Sequence, residues 1–162
     1  SSVRNSDCWS MFVSEAQLLD VKVWLTDALL SELVDQESTN PSSYTTANKL
    51  LLNGGSYVYN TKTYLFQGLK AAIIYYAFAR FTNRMSVVYT ASGIVIKESE
   101  LSTPATDKMI QRLETESRLT AEAIKCEVML FLDRNYASYP LWENRCCANS
   151  CISQRPFKVV GD

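Results

Sequence analysis

Few residues in this chain could act as catalysts or bind a metal ion. Its 162 residues include no histidine, which is the commonest general base and metal ligand near neutral pH. Five cysteines are present, and three lie close together, at Cys146, Cys147 and Cys151. A structural zinc site takes four cysteine or histidine ligands, so Cys126 or Cys8 would have to complete it. We expect free, reduced thiols instead, with no metal and no cofactor, since no repeated spacing and no signal segment indicates a secreted disulfide framework.

The remaining candidates for chemistry are also better explained by structure. The glutamates between 114 and 127 alternate with basic residues, and the pair Glu114–Arg118 has the i,i+4 spacing of a solvated helix face. Gly54-Gly55 lacks the pattern of a nucleotide-binding loop. The tyrosines between 57 and 76 could stack on bases beside Lys62 and Lys70, but core and interface aromatics are the favoured interpretation. With no histidine to activate a cysteine nucleophile, the sequence predicts no catalytic residue and no enzyme.

We expect an apolar stretch in the middle of the chain to form the element against which the other elements pack. From Tyr64 to Phe81, fourteen of eighteen residues are apolar or aromatic, which predicts a helix buried on most sides. Gly68 would mark a close helix–helix approach within it. A membrane span is the rival interpretation, but Lys70 and Arg80 leave only nine uninterrupted apolar residues between them, far fewer than the ~20 of a spanning helix.

The flanking sequence predicts further helices and one β-hairpin, for which the alternative is a helix that runs on to Tyr89 and is followed by a single strand. Ser14 is a candidate N-cap, asparagine and glycine after Leu52 are a stop signal, and Thr103-Pro104 is a start signal. The predicted elements are helices at 14–21, 23–37 and 44–52, the central helix, a hairpin of 86–91 and 94–97 around Ser92-Gly93, and an amphipathic helix from Pro104 to about Tyr136. The last residues have few large apolar groups and should be extended.

These elements predict a mainly α fold, a helical bundle around a central buried helix with a small β-hairpin and an extended C-terminal tail. Residues 1–144 would form the helical domain and residues 145–162 the tail. The net charge is −1, so no global field attracts the chain to nucleic acid or to a membrane. The charges alternate along the sequence in four bands of −4, +5, −4 and +2, a pattern that suits contacts with further copies or with another protein.

An ordered series of segments resembles a known family. The segments are Ser14-Glu-Ala-Gln17, Leu25-Thr-Asp-Ala-Leu29, Lys49-Leu-Leu-Leu-Asn-Gly-Gly55 with Tyr57, Phe66-Gln-Gly-Leu-Lys70, Tyr75-Tyr-Ala-Phe-Ala-Arg80, Ser92-Gly-Ile-Val-Ile-Lys97, Phe131-Leu132 and Tyr139-Pro-Leu-Trp142. Over residues 14–142 this order resembles the small head–tail connector proteins of tailed bacteriophages, especially those of Bacteroidetes hosts, including the crAss-like group.

The resemblance implies a structural virion protein at the head–tail interface, made in the host cytoplasm. Such subunits form a homo-oligomeric ring, a dodecamer, below the portal protein. The ring extends the channel through which double-stranded DNA passes without specific binding, and it docks the next neck or tail ring protein. It contacts no membrane.

The C-terminal tail has no counterpart in the family pattern. We hypothesise that it is an arm that docks on the portal or on a neighbouring subunit through Arg145, Arg155, Phe157 and Lys158. Two alternatives to the adaptor stay open, a helical protein-interaction module of another assembly with no channel role, and a small enzyme that uses carboxylates only.

Overall fold

The computed structural model of the chain describes residues 3–39, 44–84, 87–90, 93–96 and 107–142. Its α-helices are α1 (Val3–Ala16), α2 (Asp27–Thr39), α3 (Thr46–Asn53), α4 (Leu69–Arg84) and α5 (Asp107–Arg134). A π-helical turn, Gln17–Val21, follows α1, and a 3-10 turn, Tyr136–Ser138, follows α5. Strands β1 (Gly55–Tyr59) and β2 (Lys62–Phe66) form a first antiparallel hairpin, and β3 (Val87–Thr90) and β4 (Gly93–Ile96) form a second. The predicted mainly α fold is confirmed.

Helix α4 is the centre of the helical body, as the apolar stretch predicted. It contacts α1, α3 and α5, and seven of its residues are buried: Leu69, Ala72, Ile73, Tyr76, Ala77, Ala79 and Thr82. The alanines leave room for the neighbouring helices to approach. In the described part of the chain, no helix is both long enough and apolar enough to cross a membrane.

The prediction that the central helix begins near Tyr64 is wrong, because residues 62–66 form strand β2. Tyr64 faces the core and pairs with Tyr57 across the hairpin, and the ring of Phe66 stacks on Phe131 with centroids 4.1 Å apart. Leu65 points the other way and is exposed. The strand's period of two was hidden in the sequence because its outward residue is as apolar as its inward ones.

Gly68 is a point of close approach, but not between helices. It lies between β2 and α4 with a φ of +82°, and a Cβ there would meet the carbonyl oxygen of Leu52 at 2.7 Å. Gly54, which ends α3 with a φ of +76°, is packed just as tightly, since its Cβ would meet the carbonyl oxygen of Phe66 at 2.5 Å. Two backbone turns therefore touch, and this contact joins the first hairpin to the helices.

The N-terminal helix begins earlier than predicted. Ser14 is an interior residue of α1, which starts at Val3, so it caps nothing. The chain does break where a break was expected, between the end of the π-turn at Val21 and the start of α2 at Asp27.

The helix predicted at 44–52, the hairpin and the long helix are confirmed, whereas the predicted extended tail of residues 145–162 lies outside the described residues. Helix α3 begins where the Thr45 hydroxyl accepts the Asn48 N–H at 3.1 Å and ends at Gly54. The hairpin around residues 92–93 is present as β3 and β4, and α5 is the longest helix that the structure describes. Its predicted start signal, Thr103-Pro104, lies outside the described residues.

Candidate functional site

The residues chosen for docking all lie outside the described part of the chain: Arg145, Arg155, Phe157 and Lys158. The same holds for Cys146, Cys147 and Cys151. Cys126 of α5 is described, and it is disulfide-bonded, so the expectation of free thiols is wrong for this cysteine. Across the described ranges, no three side chains of the metal-binding types are grouped to hold an ion.

A network of charged side chains joins the π-turn to α4. Arg80 donates two hydrogen bonds to Asp20, from Nε to Oδ2 at 2.7 Å and from Nη2 to Oδ1 at 3.0 Å. The Arg80 and Asp20 side chains are only 15% and 12% exposed, so water screens this pair weakly. The hydrogen bond to Asp20 raises the pKa of Arg80, which keeps the guanidinium charged.

The network extends to both neighbouring helices. Arg84 donates to Glu15 of α1 at 2.8 Å. From α5, Arg118 lies 3.7 Å from Asp20 and donates to Glu114 at 2.8 Å, and this hydrogen bond holds the pKa of Glu114 below its usual range. The predicted pairing of Glu114 with Arg118 is confirmed. These contacts tie α1, the π-turn, α4 and α5 together, so their role is structural.

A second polar contact links α4 to α5 beside a small cavity. The Tyr76 hydroxyl donates to Glu122 at 2.6 Å, and Lys125 donates to the same carboxylate at 3.0 Å. Burial, followed by the bond to Glu122, raises the pKa of Tyr76 far above its ordinary value, so the phenol stays protonated and cannot serve as a base. The adjoining cavity, of about 270 Å³, is lined by both Tyr76 and Glu122.

The glutamates of α5 do not all lie on a solvent-exposed face, because some of them contact other elements of the fold. Arg112 and Glu116 form an exposed i,i+4 pair, as the spacing predicted. Glu114 and Glu122 instead contact other elements of the fold. For Glu122, burial alone would raise the pKa, but the hydrogen bonds from Tyr76 and Lys125 outweigh it and the pKa is lowered.

A larger cavity, here called the apolar groove, opens between α1, α2, α3 and α4. Its volume is about 500 Å³, and its walls include Val13 of α1, Leu30 and Val34 of α2, and Ile73 and Ile74 of α4. Val34 and Ile74 remain 52% and 54% exposed. Concave apolar surfaces of this size are where partners and ligands bind.

The first hairpin carries another exposed apolar surface. Its inner face is anchored on α5, because Arg134 donates to the Tyr57 hydroxyl at 2.9 Å and lies 4.3 Å from the centre of the Tyr64 ring. Its outer face presents Val58 and Leu65, which are 68% and 79% exposed. Large apolar side chains displayed on a rigid element are typical of an interaction surface.

Both surfaces carry little charge, and Lys70 is the one charged residue among those that line the apolar groove. Helix α2, which forms one wall of the apolar groove, has four acidic residues and no basic one. Residues 44–84 have five basic residues and no acidic one. Arg80 and Arg84 of that segment form ion pairs within the subunit, with Asp20 and Glu15 respectively. Lys62, which opens β2, is the only charged residue of the first hairpin.

Sequence reasoning missed both surfaces. One available signal was Asn60, since asparagine favours the left-handed conformation of a two-residue hairpin turn. Aromatic residues at alternate positions on either side, Tyr57 and Tyr59 before it and Tyr64 and Phe66 after it, were a second signal. No local signal could have revealed the apolar groove, because its walls come from four helices.

Comparison with known proteins gives the family of the chain without a function. No match was found among curated proteins or among solved structures. One family model, described as a family of unknown function, DUF6712, matches residues 21–152. That range begins at the end of the π-turn, includes α2, α3, α4, α5 and both hairpins, and covers well over half of the chain. The protein therefore belongs to the DUF6712 family.

Proposed function

We propose that this protein is a head–tail adaptor of a tailed bacteriophage, a structural virion subunit that forms a ring below the portal. The ring extends the DNA channel and docks the next neck or tail protein. The ordered resemblance of residues 14–142 to small connector proteins suggests this assembly, and the alternative is a helical interaction module with no channel role.

One structural observation carries the proposal: two exposed apolar surfaces, the apolar groove and the outer face of the first hairpin, are formed by different residues. A ring is built by heterologous contacts, in which one face of a subunit meets a different face of the next. A subunit with two unlike interaction surfaces has what such a contact requires.

The charge of the chain fits the passage of DNA. Each basic side chain that contacts a phosphate adds salt-dependent affinity, so a channel that must release DNA should offer few of them. The net charge is −1, and in the described structure Arg80, Arg84 and Arg118 are held by carboxylates. In the proposed ring, DNA passes without specific binding.

The test is co-expression with the portal protein of the same phage, followed by electron microscopy of the purified complex. We expect closed rings seated on one end of the portal, with the subunit present in the portal complex after size-exclusion chromatography. A chain that neither binds the portal nor forms rings with it would refute the adaptor function. Binding to a different virion protein in the same assay would instead support the interaction module.

The C-terminal arm needs a separate test. Deleting residues 145–162 removes no residue of a described helix or strand, but it does remove Cys146, Cys147 and Cys151, three of the four cysteines with which Cys126 could form its disulfide. Cys126→Ser in the full-length chain is therefore the control for loss of that disulfide. We expect the shortened chain to lose affinity for the portal or for its neighbour, because Arg145, Arg155, Phe157 and Lys158 are removed. Undiminished portal–ring assembly would show that the arm has no docking role.

A further inference from the structure

We propose that the disulfide of Cys126 joins α5 to the C-terminal tail and so fastens the base of the tail to the helical body. Cys126 is partly buried against the core, and it is bonded to another cysteine. The chain has five cysteines, so the partner is either Cys8 of α1 or one of the three in the tail, which are Cys146, Cys147 and Cys151. The packing of the helices and the course of the chain after α5 decide between these two possibilities.

Helices α4 and α5 are antiparallel, which fixes the position of Cys126 along α4. Tyr76 of α4 donates to Glu122 of α5. Further along α4, Asn83 forms a hydrogen bond with Glu114, which comes earlier in α5. Cys126 lies one helical turn beyond Glu122 in the direction away from Glu114, and it is therefore level with the first turn of α4.

Cys8 lies at the other end of α4 and is too far away to be the partner. It directly precedes Trp9 in α1, and the Trp9 ring contacts the ring of Phe81 with centroids 5.1 Å apart. Phe81 belongs to the last turn of α4 and follows the first turn by nine residues, which is about 13 Å along the helix. The Cα atoms of a disulfide lie only ~4.4–6.8 Å apart, so the bond to Cys126 comes from the tail.

The chain leaves the described structure beside the face of α5 that holds Cys126. Trp142, the last described residue, is buried, and its indole N–H donates to the Asp133 carboxylate at 2.9 Å. Asp133 follows Cys126 by seven residues, close to two turns of the helix, so the two side chains share one face about 10 Å apart. The residues after Trp142 therefore start within two helical turns of Cys126.

The tail cysteines are within reach of Cys126 from this starting point. Cys146 follows Trp142 by four residues, and four extended residues span up to ~13–14 Å. Cys147 and Cys151 have a longer connection and therefore more freedom. The bond needs no movement of the segment before the tail, in which the Leu141 carbonyl oxygen accepts a hydrogen bond from a threonine of the loop before α2 at 2.7 Å.

Formation of the bond is a two-electron oxidation. Cys126 and its partner each lose a proton, and their two electrons pass to a small-molecule disulfide such as oxidised glutathione, which leaves as two thiols. The reaction passes through a mixed disulfide between one cysteine and the small molecule, which the second cysteine then attacks as a thiolate. In a reducing compartment the same exchange runs in reverse and releases the tail.

The bond has a consequence for the proposed docking arm. It fixes the point from which Arg155, Phe157 and Lys158 extend, so these side chains search a smaller volume than they would on a free tail. A restrained segment loses less conformational entropy when it docks. This consequence rests on the proposed adaptor function, whereas the disulfide itself does not.

Peptide mapping tests the connection, because trypsin separates the possible partners. Cleavage after lysine and arginine, except before proline, places Cys126 in peptide 126–134, Cys8 in peptide 5–22 and the three tail cysteines in peptide 146–158. The full chain is equilibrated with oxidised and reduced glutathione, its free thiols are alkylated, and the monomer is digested without reductant. Mass spectrometry should find peptide 126–134 joined to peptide 146–158, and fragmentation of the joined pair identifies the tail cysteine.

Two substitutions provide the matched comparison. Cys126→Ser should remove the joined peptide and lower the Tm by roughly 5–10 °C, since closing a loop of this length restricts the unfolded chain. Cys8→Ser should keep the joined peptide and the Tm of the wild type. Reduction of the wild type should lower its Tm to that of Cys126→Ser.

Several results would overturn the inference. They are a peptide 126–134 that is joined to peptide 5–22, one that is recovered with Cys126 alkylated or bound to glutathione, and a Tm that Cys126→Ser leaves unchanged. Failure of the adaptor function is distinguishable, because these measurements use no portal. Rings on the portal without the joined peptide would leave the adaptor function standing, and the joined peptide without portal binding would leave the disulfide standing.

Discussion

The ion pair between Arg80 and Asp20 provides the strongest test of how the helices are held together. Replacing Arg80 with methionine keeps the aliphatic stem but removes the guanidinium, which donates two hydrogen bonds to Asp20. Asp20 would be left with Arg118 at 3.7 Å as its remaining ion-pair partner. Because the Asp20 side chain is 12% exposed, water can compensate for only a small part of the loss.

The expected cost follows from this burial. Removing one partner of a buried ion pair lowers the free energy of unfolding by about 3–5 kcal/mol, whereas an exposed pair contributes only about 0–1 kcal/mol. This pair lies toward the buried limit, but Arg118 still neutralises part of the charge on Asp20, so we expect a loss of about 2–3 kcal/mol. For a chain of this size that corresponds to a fall in Tm of roughly 4–12 °C.

A double-mutant cycle separates the ion pair from its surroundings. The variants are Arg80→Met, Asp20→Asn and the double substitution, each unfolded in urea and followed by circular dichroism. We expect the double variant to be more stable than the sum of the single losses predicts, with a coupling energy of about 1.5 kcal/mol or more. The exposed pair Arg112–Glu116 is the matched control and should give ~0.5 kcal/mol. Equal coupling energies for the two pairs would refute the reasoning.

Three further predictions concern the turns and the acidic pH range. Gly68→Ala should lower the free energy of unfolding by about 2 kcal/mol or more, measured in urea, because its Cβ would meet backbone atoms. Gly55→Ala is also strained, since Gly55 has a φ of +150°, but its Cβ would meet only the movable Leu50 side chain at 3.0 Å. It should therefore cost less than Gly68→Ala, and equal losses would contradict this. Thr61, at the turn of the first hairpin, has a φ of +65°, so Thr61→Gly should raise the free energy of unfolding by about 0.5–1 kcal/mol, and a lower Tm would count against strain at the turn. Folding lowers the pKa of Glu114 from its unfolded value of 4.5, so Glu114 stabilises the fold above that pH and loses this effect as the pH falls through the folded pKa. Glu114→Gln should therefore weaken the dependence of the free energy of unfolding on pH in that range. An unchanged pH profile would exclude this contribution.

The sequence predicted the elements whose pattern is set by local chemistry. Helix α5 follows steps of three and four, and α3 ends at a terminating glycine. Both signals depend on residues within one or two turns of each other. The first hairpin escaped prediction because Val58 and Leu65 make its outer face apolar, so alternation was lost. A hairpin with a polar outer face would have been recognised.

Part of the charge in the four bands forms ion pairs within the subunit, while the expected role of the bands in contacts with further copies or another protein stays a prediction. They suggested complementary faces between copies, but part of this charge is neutralised within the subunit: Asp20 and Glu15 come from the first acidic band, Arg80 and Arg84 from the basic band, and Glu114 from the second acidic band. These partners are separated by up to 69 positions, and the π-turn that carries Asp20 has no sequence signature. Pairing at such distance depends on helix packing, which spacing along the chain does not encode.

The internal network and the surface contacts have separate roles in the proposed assembly. A heterologous contact closes into a ring only if the angle between its two surfaces is fixed, and otherwise it yields open filaments. The hairpin is supported by α5, while the apolar groove lies between α1, α2, α3 and α4. In the proposed ring, the charged contacts that join α1, α4 and α5 and the close contact between Gly54 and Gly68 would fix the angle between the two surfaces. Apolar side chains would supply affinity at the surface, while this fixed angle would determine whether successive copies close into a ring.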